Sequence, residues 1–476
     1  MENRREASMK RFTFKGGVHP YDEKGLTADK QVRALEPGAE LAFLCSQHIG
    51  APARPVVKAG DYVLKGQLIA EAGGFVSSPV FSSVSGTVRK LEKRRTAAGG
   101  LGDAVIVEND RLYKCAPMAI LPALRDELSE REAEEAVRTG RLPAFDAGRV
   151  LEKTQKGEIL SRIRDLGIVG MGGAGFPTHV KLSPKKPEDI SFILVNGAEC
   201  EPYVTCDYRL MIEKTKELAA GLKAVLRLFE GAKGVFCVED NKPGAIEALR
   251  QAVKDEEQIT VAACRTKYPQ GAERNLIKAV TGREVYSRIL PADTGCIVDN
   301  MATLFAVFEA VFLGKPLYER LFTVTGDAPV EPGNYLVPVG MQFGQILQKT
   351  GGLKGGAEKI IAGGPMMGFA QADLEAVTTK TTGALTCFLH DLVSRQEETP
   401  CINCGRCVAG CPERLIPSRL ADMAEKKQFD RFEKNYGLEC VNCGSCSWSC
   451  PAKRPLAAQI SMARQMILTA KKRAGG

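Results

Sequence analysis

The chain has 476 residues, 44% hydrophobic and 26% charged, ordinary proportions for a globular protein of about three domains, which argue against intrinsic disorder. Lys+Arg 65 against Asp+Glu 57 leaves a formal charge of +8. With one Trp and no basic stripe interleaved with aromatics, nothing supports a nucleic-acid surface. The 16 cysteines are the anomaly. Met1 to Gly17 is polar, without the apolar run of a signal peptide. The most apolar helical stretch, Met301 to Leu313, is 13 residues long and interrupted by Glu309, short of the about 18–20 residues that span a bilayer. The expected compartment is therefore the cytoplasm, where clustered cysteines read as metal ligands before disulfides.

The first ~110 residues read as short strands between Gly-centred turns. Two stretches carry the pattern, Pro55 to Gln67 (PVVKAGDYVLKGQ) and Pro79 to Val88 (PVFSSVSGTV). They resemble the lipoyl/biotinyl barrel-sandwich family. Those carriers present a Lys on the hairpin between the two halves, yet Ile69 to Gly86 contains none, which predicts a structural barrel rather than a swinging arm. Acid-rich Leu121 to Arg141 reads as a connecting helix. From ~150 to ~320, strand, Gly loop and helix alternate, an α/β layout. Ser191 to Asn196 reads as a buried strand, Leu210 to Phe229 as a helix and Gly234 to Glu239 as a strand. Helices over Asn275–Val280 and Met301–Leu313 follow. Phe322 to Thr325, Pro332 to Pro338 and a helix over Phe343–Thr350 predict a compact β-rich module to about residue 373. The rest is helical segments around two cysteine clusters.

Those clusters form an internal repeat. Cys401-x2-Cys404-x2-Cys407-x3-Cys411-Pro412 recurs as Cys440-x2-Cys443-x2-Cys446-x3-Cys450-Pro451, offset by 39 residues. Three thiolates on a tight loop, relieved by Gly405 and Gly444, can hold three irons of one cubane, while the fourth ligates the neighbouring cluster. The spacing assigns Cys401, Cys404, Cys407 and Cys450 to one [4Fe–4S] cluster, and Cys440, Cys443, Cys446 and Cys411 to the other. Zinc sites need neither the third Cys nor the trailing Cys-Pro, and disulfides conflict with the compartment. A helical pattern between the motifs (Leu420, Met423, Phe429, Phe432) predicts a helical ferredoxin module. The other eight cysteines, Cys45, Cys115, Cys200, Cys206, Cys237, Cys264, Cys296 and Cys387, read as small core or surface residues. His19, His48, His179 and His390 show no ligand spacing and read as structural.

Clusters move single electrons and need a source. Gly170-Met171-Gly172-Gly173-Ala174-Gly175-Phe176-Pro177 formally contains GxGxxG, but the Phe-Pro is wrong for a continuing dinucleotide helix. By spacing alone it is a nucleotide loop or a structural Gly turn. The residues add a resemblance. Leu166 to Leu182 (LGIVGMGGAGFPTHVKL), Val195 to Arg209 (VNGAECEPYVTCDYR), Tyr268 to Gly282 (YPQGAERNLIKAVTG) and Val298 to Leu304 (VDNMATL) resemble the FMN- and NADH-binding segments of the flavin subunit of respiratory complex I. With the barrel-like start and the ferredoxin-like end, the chain resembles the C-subunit family of Rnf ion-translocating electron transport complexes, from about Phe14 to about Pro455.

That resemblance implies a multidomain α/β and α+β protein. Its expected parts are a barrel-sandwich (1–115), a Rossmann-like FMN/NADH-binding α/β domain (116–320), a β-grasp module of the SLBB type (321–375) and a helical two-cluster ferredoxin domain (395–476). The implied cofactors are FMN and two [4Fe–4S] clusters, with NAD(H) as substrate. FMN and nucleotide contacts are implied at Gly170, Gly172, Gly173, Gly175, Phe176, Lys181, Asn196, Glu199, Glu201, Gly271, Glu273, Asn300 and Thr303. Phe176 is a stacking face and Lys181 a phosphate neutraliser. Ala198, Cys200, Ala272 and Asp299 depart from the complex I pattern and point to a loosely held flavin. The implied setting is peripheral, on the cytoplasmic side of the cell membrane. Expected partners are integral membrane subunits, a ferredoxin-like iron–sulfur subunit and, indirectly, ferredoxin. The rival readings are a soluble flavin/iron–sulfur corrinoid reductase of the same domain order and a non-catalytic electron conduit.

Overall fold

The structure is a computed structural model that describes residues 11–286 and 289–474; the first ten residues, and with them most of the polar stretch Met1 to Gly17, lie outside it. After β1 (Arg33–Ala34), the chain builds the barrel from β2 (Glu40–Leu44), β3 (Arg54–Pro55), β4 (Tyr62–Val63), β5 (Leu68–Glu71), β6 (Val80–Phe81), β7 (Gly86–Arg95) and β8 (Leu101–Asn109). Two small antiparallel sheets, ordered β2-β8-β7-β4 and β3-β5-β6, close over Leu41, Phe43, Ile69, Val88, Val105 and Val107. The alternation seen in the sequence is what buries these side chains on one face.

The acid-rich connection is two helices rather than one, α1 (Pro122–Arg125) and α2 (Glu130–Thr139). Ser129 and Glu132 form a capping box that starts α2 afresh. Next come α3 (Ala147–Glu152), α4 (Lys156–Asp165), the glycine loop and α5 (Thr178–Lys181). The α/β core follows as β9 (Phe192–Gly197), α6 (Cys206–Glu213), α7 (Thr215–Leu226), β10 (Lys233–Glu239), α8 (Pro243–Ala252), β11 (Ile259–Cys264), α9 (Glu273–Thr281), β12 (Cys296–Asn300) and α10 (Met301–Phe308), the last continued by a π-turn over Glu309–Leu313. The helix expected over Leu210–Phe229 is split because Lys214 leaves helical geometry at φ −131°. Strands β11, β10, β9 and β12 form an all-parallel sheet in that order, covered by helices, as the near-continuous apolar run of β9 demands.

The third unit comprises β13 (Glu319–Thr325), β14 (Gly333–Pro338), α11 (Phe343–Lys349), β15 (Lys359–Ala362), β16 (Phe369–Ala370) and β17 (Ala384–Phe388) in a six-stranded sheet ordered β1-β14-β13-β17-β15-β16. Strand β17, with Leu385 and Cys387 fully buried, pairs with both β13 and β15. The six-stranded sheet thus continues past residue 375 to Phe388 and takes in β1 from ahead of the barrel. Lys380 staples three units together: its ammonium donates to Ser78 Oγ (3.1 Å), Pro79 O (2.6 Å) and Gly167 O (2.7 Å). Burial pushes that ammonium down to about 7.

The C-terminal domain packs α12 (Arg406–Gly410), α13 (Pro417–Glu425), α14 (Phe429–Lys434), α15 (Ser445–Trp448) and α16 (Leu456–Ala474) around Leu420, Ala424, Phe432, Leu456 and Ile460. No helix among the described residues is long and apolar enough to cross a membrane.

Candidate flavin and iron–sulfur sites

In the parallel sheet the chain runs from β9 outward to β10 and β11, then returns to place β12 on the other side of β9. The reversal lies between β9 and β12, and ligands of open α/β sheets bind at the carboxyl ends of the strands there. Asn196 is the penultimate residue of β9 and Asn300 ends β12, and the two are direct cross-strand partners. The glycine loop lies against this crevice. Met171 N donates to Thr303 Oγ1 (2.8 Å), and a Cβ on Gly172 would sit 2.9 Å from Asn300 Cβ. The loop is closed by Gly170 N donating to Phe176 O (2.8 Å), with the Phe176 ring half-buried. Gly175 holds φ +71°, and a Cβ there would lie 2.8 Å from Thr381 Cγ2 and 3.0 Å from Gln47 O. The barrel and the β-grasp unit therefore clamp the loop from one side. Arg320, fully buried within the core, reaches Lys380 O (2.6 Å) and Met171 O (3.5 Å).

Between the clamps, Gly172, Gly173 and Ala174 are exposed, and among the described residues their amides donate to no group of the chain. A turn of free N–H groups without side chains fits a phosphate. Asn196 Nδ2 donates to Gly271 O (2.8 Å), and Gly271 N points at Cys200 Sγ (3.4 Å). This ties the second and third resembling segments together at the same crevice.

The acids lie just behind. Glu199 accepts from Asp207 N (2.6 Å) and Tyr208 N (3.3 Å), capping α6. Burial pushes it up to about 7. Glu201 Oε2 accepts from Met366 N (3.1 Å), its Oε1 is buried without a partner, and burial likewise pushes it up to about 7. Lys24 donates to Glu201 O (2.9 Å), and Lys242 to Ala198 O (2.7 Å), fixing the turn between them. Glu273 begins α9, and burial raises it above the usual carboxylate range. The Lys181 ammonium donates to Val298 O (2.7 Å) and pairs with Asp299 Oδ1 (3.3 Å). Burial disfavours that charge, but Asp299 and Glu273 outweigh it and hold the ammonium above its ordinary value. An Asp at 299 is thus answered by a cation within the chain.

In the C-terminal domain the repeat extends to the backbone. Positive φ recurs 39 residues apart at Asn403 (54°) and Asn442 (54°), Gly405 (73°) and Gly444 (79°), and Arg414 (54°) and Lys453 (55°). Cys411 of the first motif lines one mainly apolar cavity with Cys440, Cys443 and Cys446 of the second. Four convergent thiols in such a cavity suit a cubane. Of the other set, Cys401 and Cys404 are exposed, and Cys407 and Cys450 half-buried. The scattered cysteines are buried, except exposed Cys115 and half-buried Cys200.

The two sites meet. Tyr268, Val18 and Cys443 form one apolar cluster, with Cys200, Met366 and Val441 packed against it. Arg274 pairs with Glu413 (3.3 Å) and Glu439 (3.0 Å) across the seam. Sequence reasoning passed over Arg320, Lys24, Lys242 and the surroundings of Cys200, although Tyr268 heads one of the resembling segments.

Comparison with known proteins agrees with this layout. The RnfC barrel sandwich hybrid domain matches residues 12–112, the Nuo51 FMN-binding domain 163–309, the SLBB domain 321–370 and the 4Fe-4S dicluster domain 400–453. The chain is 40% identical over 427 residues to the C subunit of the proton-translocating ferredoxin:NAD(+) oxidoreductase complex of Clostridium ljungdahlii, covering 90% of this chain and 87% of that protein. It is 39% identical over 466 residues to the C subunit of the Na(+)-translocating ferredoxin:NAD(+) oxidoreductase complex of Acetobacterium woodii, covering 98% and 99%. Among solved structures, the air-oxidized NAD+-reducing [NiFe]-hydrogenase overlays 74% of this chain and 69% of its own at TM-score 0.49 and 23% identity. On the relatives' identity and coverage, the chain belongs to the family of C subunits of Rnf-type ion-translocating ferredoxin:NAD+ oxidoreductase complexes.

Proposed function

We propose that this chain is the NAD(H)-reactive subunit of a membrane-bound complex that couples electron transfer between NAD(H) and ferredoxin to Na+ or H+ translocation. The observation that carries the reading is the seam: the strand crevice beside the glycine loop is joined through Asn196, Gly271 and Cys200 to the apolar cluster that holds Cys443, one wall of the four-cysteine cavity. FMN bound at the crevice would supply the conversion between the hydride's electron pair and single electrons. The free amides of Gly172, Gly173 and Ala174 hold the flavin phosphate, and Asn196, Gly271, Asn300 and Thr303 shape the crevice around it. Gly170 and Gly175 set the loop's ends. Phe176 offers a stacking face to the nicotinamide nucleotide. Glu199, Glu201 and Glu273 line the acid side, where burial holds their carboxyls above the usual range. Cys401, Cys404, Cys407 and Cys450 hold one cluster, and Cys411, Cys440, Cys443 and Cys446 the other. The chain works on the cytoplasmic side, peripheral to integral membrane subunits that carry the ion path, and its electrons pass to or from a ferredoxin-like iron–sulfur subunit.

The test is anaerobic purification, reconstitution with iron, sulfide and FMN, and titration with NADH under visible and EPR spectroscopy. Flavin bleaching followed by cluster signals is expected. Intact clusters and flavin that ignore NADH would overturn the reading.

A further inference from the structure

We infer that Arg320 is a positioning residue of the glycine loop: from beneath the loop it turns the Met171–Gly172 peptide so that the Gly172 N–H faces outward, and its charge, paired with no carboxylate of the chain, is answered by the phosphate monoester of a bound flavin. The inference rests on the flavin reading above. It adds the residue that makes the site prefer a phosphorylated flavin to an unphosphorylated one.

Met171 is the pivot. It is buried, and both of its backbone polar groups face partners in the core. Its N–H donates to Thr303 Oγ1 (2.8 Å), and its carbonyl faces Arg320 Nη1 and Nη2 at 3.5 Å each. The Met171–Gly172 bond is trans, and in a planar trans peptide the C=O and N–H point in opposite directions. A carbonyl turned toward the buried guanidinium therefore sends the Gly172 N–H away from the core. That is the side on which Gly172, Gly173 and Ala174 are exposed. Arg320 thus aims one of the free amides without itself reaching the ligand.

Its charge is the second observation. Arg320, on β13, is only 4% exposed, and among the described residues it makes no ion pair. Its Nε donates to Leu321 O (3.2 Å) and its Nη1 to Lys380 O (2.6 Å), both neutral acceptors. The 3.5 Å contacts with Met171 O lie at the outer edge of hydrogen bonding. Cys206 and Asp207 on α6 favour the charge, but burial outweighs them and pulls the guanidinium below its ordinary value. Asp207 Oδ2 accepts instead from Asn300 (2.6 Å), and Cys206 Sγ faces Gly383 O (3.8 Å). Buried cations are normally matched by an anion. Lys181 in the same crevice has Asp299; Arg320 has only carbonyls, so an anion seated on the loop amides supplies what the chain does not. The Lys380 ammonium, which also meets only neutral oxygens, adds to the same positive field under the loop.

The experiment measures binding of FMN and of riboflavin to the full chain stripped of flavin, by fluorescence quenching. In Arg320→Met, which keeps the bulk and removes the charge, FMN affinity is expected to fall about 30-fold while riboflavin affinity changes by less than about twofold. Arg320→Lys, which keeps the charge, should recover most of the FMN affinity. Equal losses for the two flavins in Arg320→Met, or no recovery in Arg320→Lys, would overturn the inference. The unaltered chain gives an independent reading by NMR with isotope-labelled arginine, the Arg320 Nε signal being assigned through Arg320→Lys. That signal should shift with FMN and with inorganic phosphate but not with riboflavin; the same shift with riboflavin would overturn the inference. A chain that binds FMN no better than riboflavin would sink the phosphate reading of the glycine loop itself. A preference for FMN that survives Arg320→Met would sink only the role of Arg320.

Discussion

Asn300 gives its side-chain amide to the Asp207 carboxylate at 2.6 Å while its Oδ1 accepts from Ala302 N at 2.9 Å. One side chain thereby caps α10 and anchors the start of α6 beneath the glycine loop. Asn300→Ala removes the cap, a loss of about 0.5–2 kcal/mol, and takes a donor from a buried carboxylate, about 1–3 kcal/mol more. Thermal unfolding is expected several degrees lower, with flavin retained less well through gel filtration. Unchanged melting and unchanged flavin would contradict the role given to this pair.

Gly175→Ala tests the clamp. At φ +71° an L-residue costs about 1–2 kcal/mol, and the new methyl group meets Thr381 and the backbone of Gln47 and His48. The expected result is a loop displaced from its clamp, with FMN affinity down about tenfold by fluorescence titration. Gly173→Ala, where a Cβ meets nothing within 4 Å, should change affinity much less.

Iron counting separates ligand from filler cysteines. Cys443→Ala should lose one cluster, halving iron and acid-labile sulfide. Cys115→Ala, exposed and remote from both motifs, should leave both values unaltered. Equal loss in the two variants would defeat the ligand assignment.

The Glu201 carboxyl, lifted by burial from 4.5 to about 7, keeps in the folded state a proton that the unfolded chain releases. Its contribution to stability is full below about pH 4.5 and is lost as pH rises to about 7, beyond which it stays flat. Chemical unfolding at about pH 5 and about pH 8 should show the unaltered chain losing stability across this window. Glu201→Gln should lose less, the remaining slope coming from other buried carboxyls such as Glu199 and Glu273. An identical slope in the variant would refute the assignment.

Much of this architecture was legible in the residues because the signals were local. Each Cys-x2-Cys-x2-Cys-x3-Cys-Pro motif, and likewise the apolar run of β9, occupies one short stretch of chain. Asn196 and Asn300 came from the resemblance, and only the sheet register makes them neighbours. What stayed hidden depends on pairings between distant segments. Cys200 reads as a filler until Gly271 and Tyr268 are brought beside it. Nothing local reveals that Lys181 meets Asp299, far along the chain. Nor does anything local show that β17, which follows a long irregular stretch, inserts between β13 and β15.

The Lys380 staple bears on how the chain is made. Its contact with Ser78 spans 302 residues, and β1 near the amino end completes a sheet whose other strands begin at Glu319. Domains commonly fold as they leave the ribosome, amino-terminal first; here the barrel emerges early, but the lysine that seats it follows 302 residues after Ser78. Until residue 380 appears, the nascent chain holds an unseated barrel and an unclamped glycine loop. Flavin capture is therefore a late event of biogenesis, and a ribosome stalled before that point should display a chain unable to retain FMN.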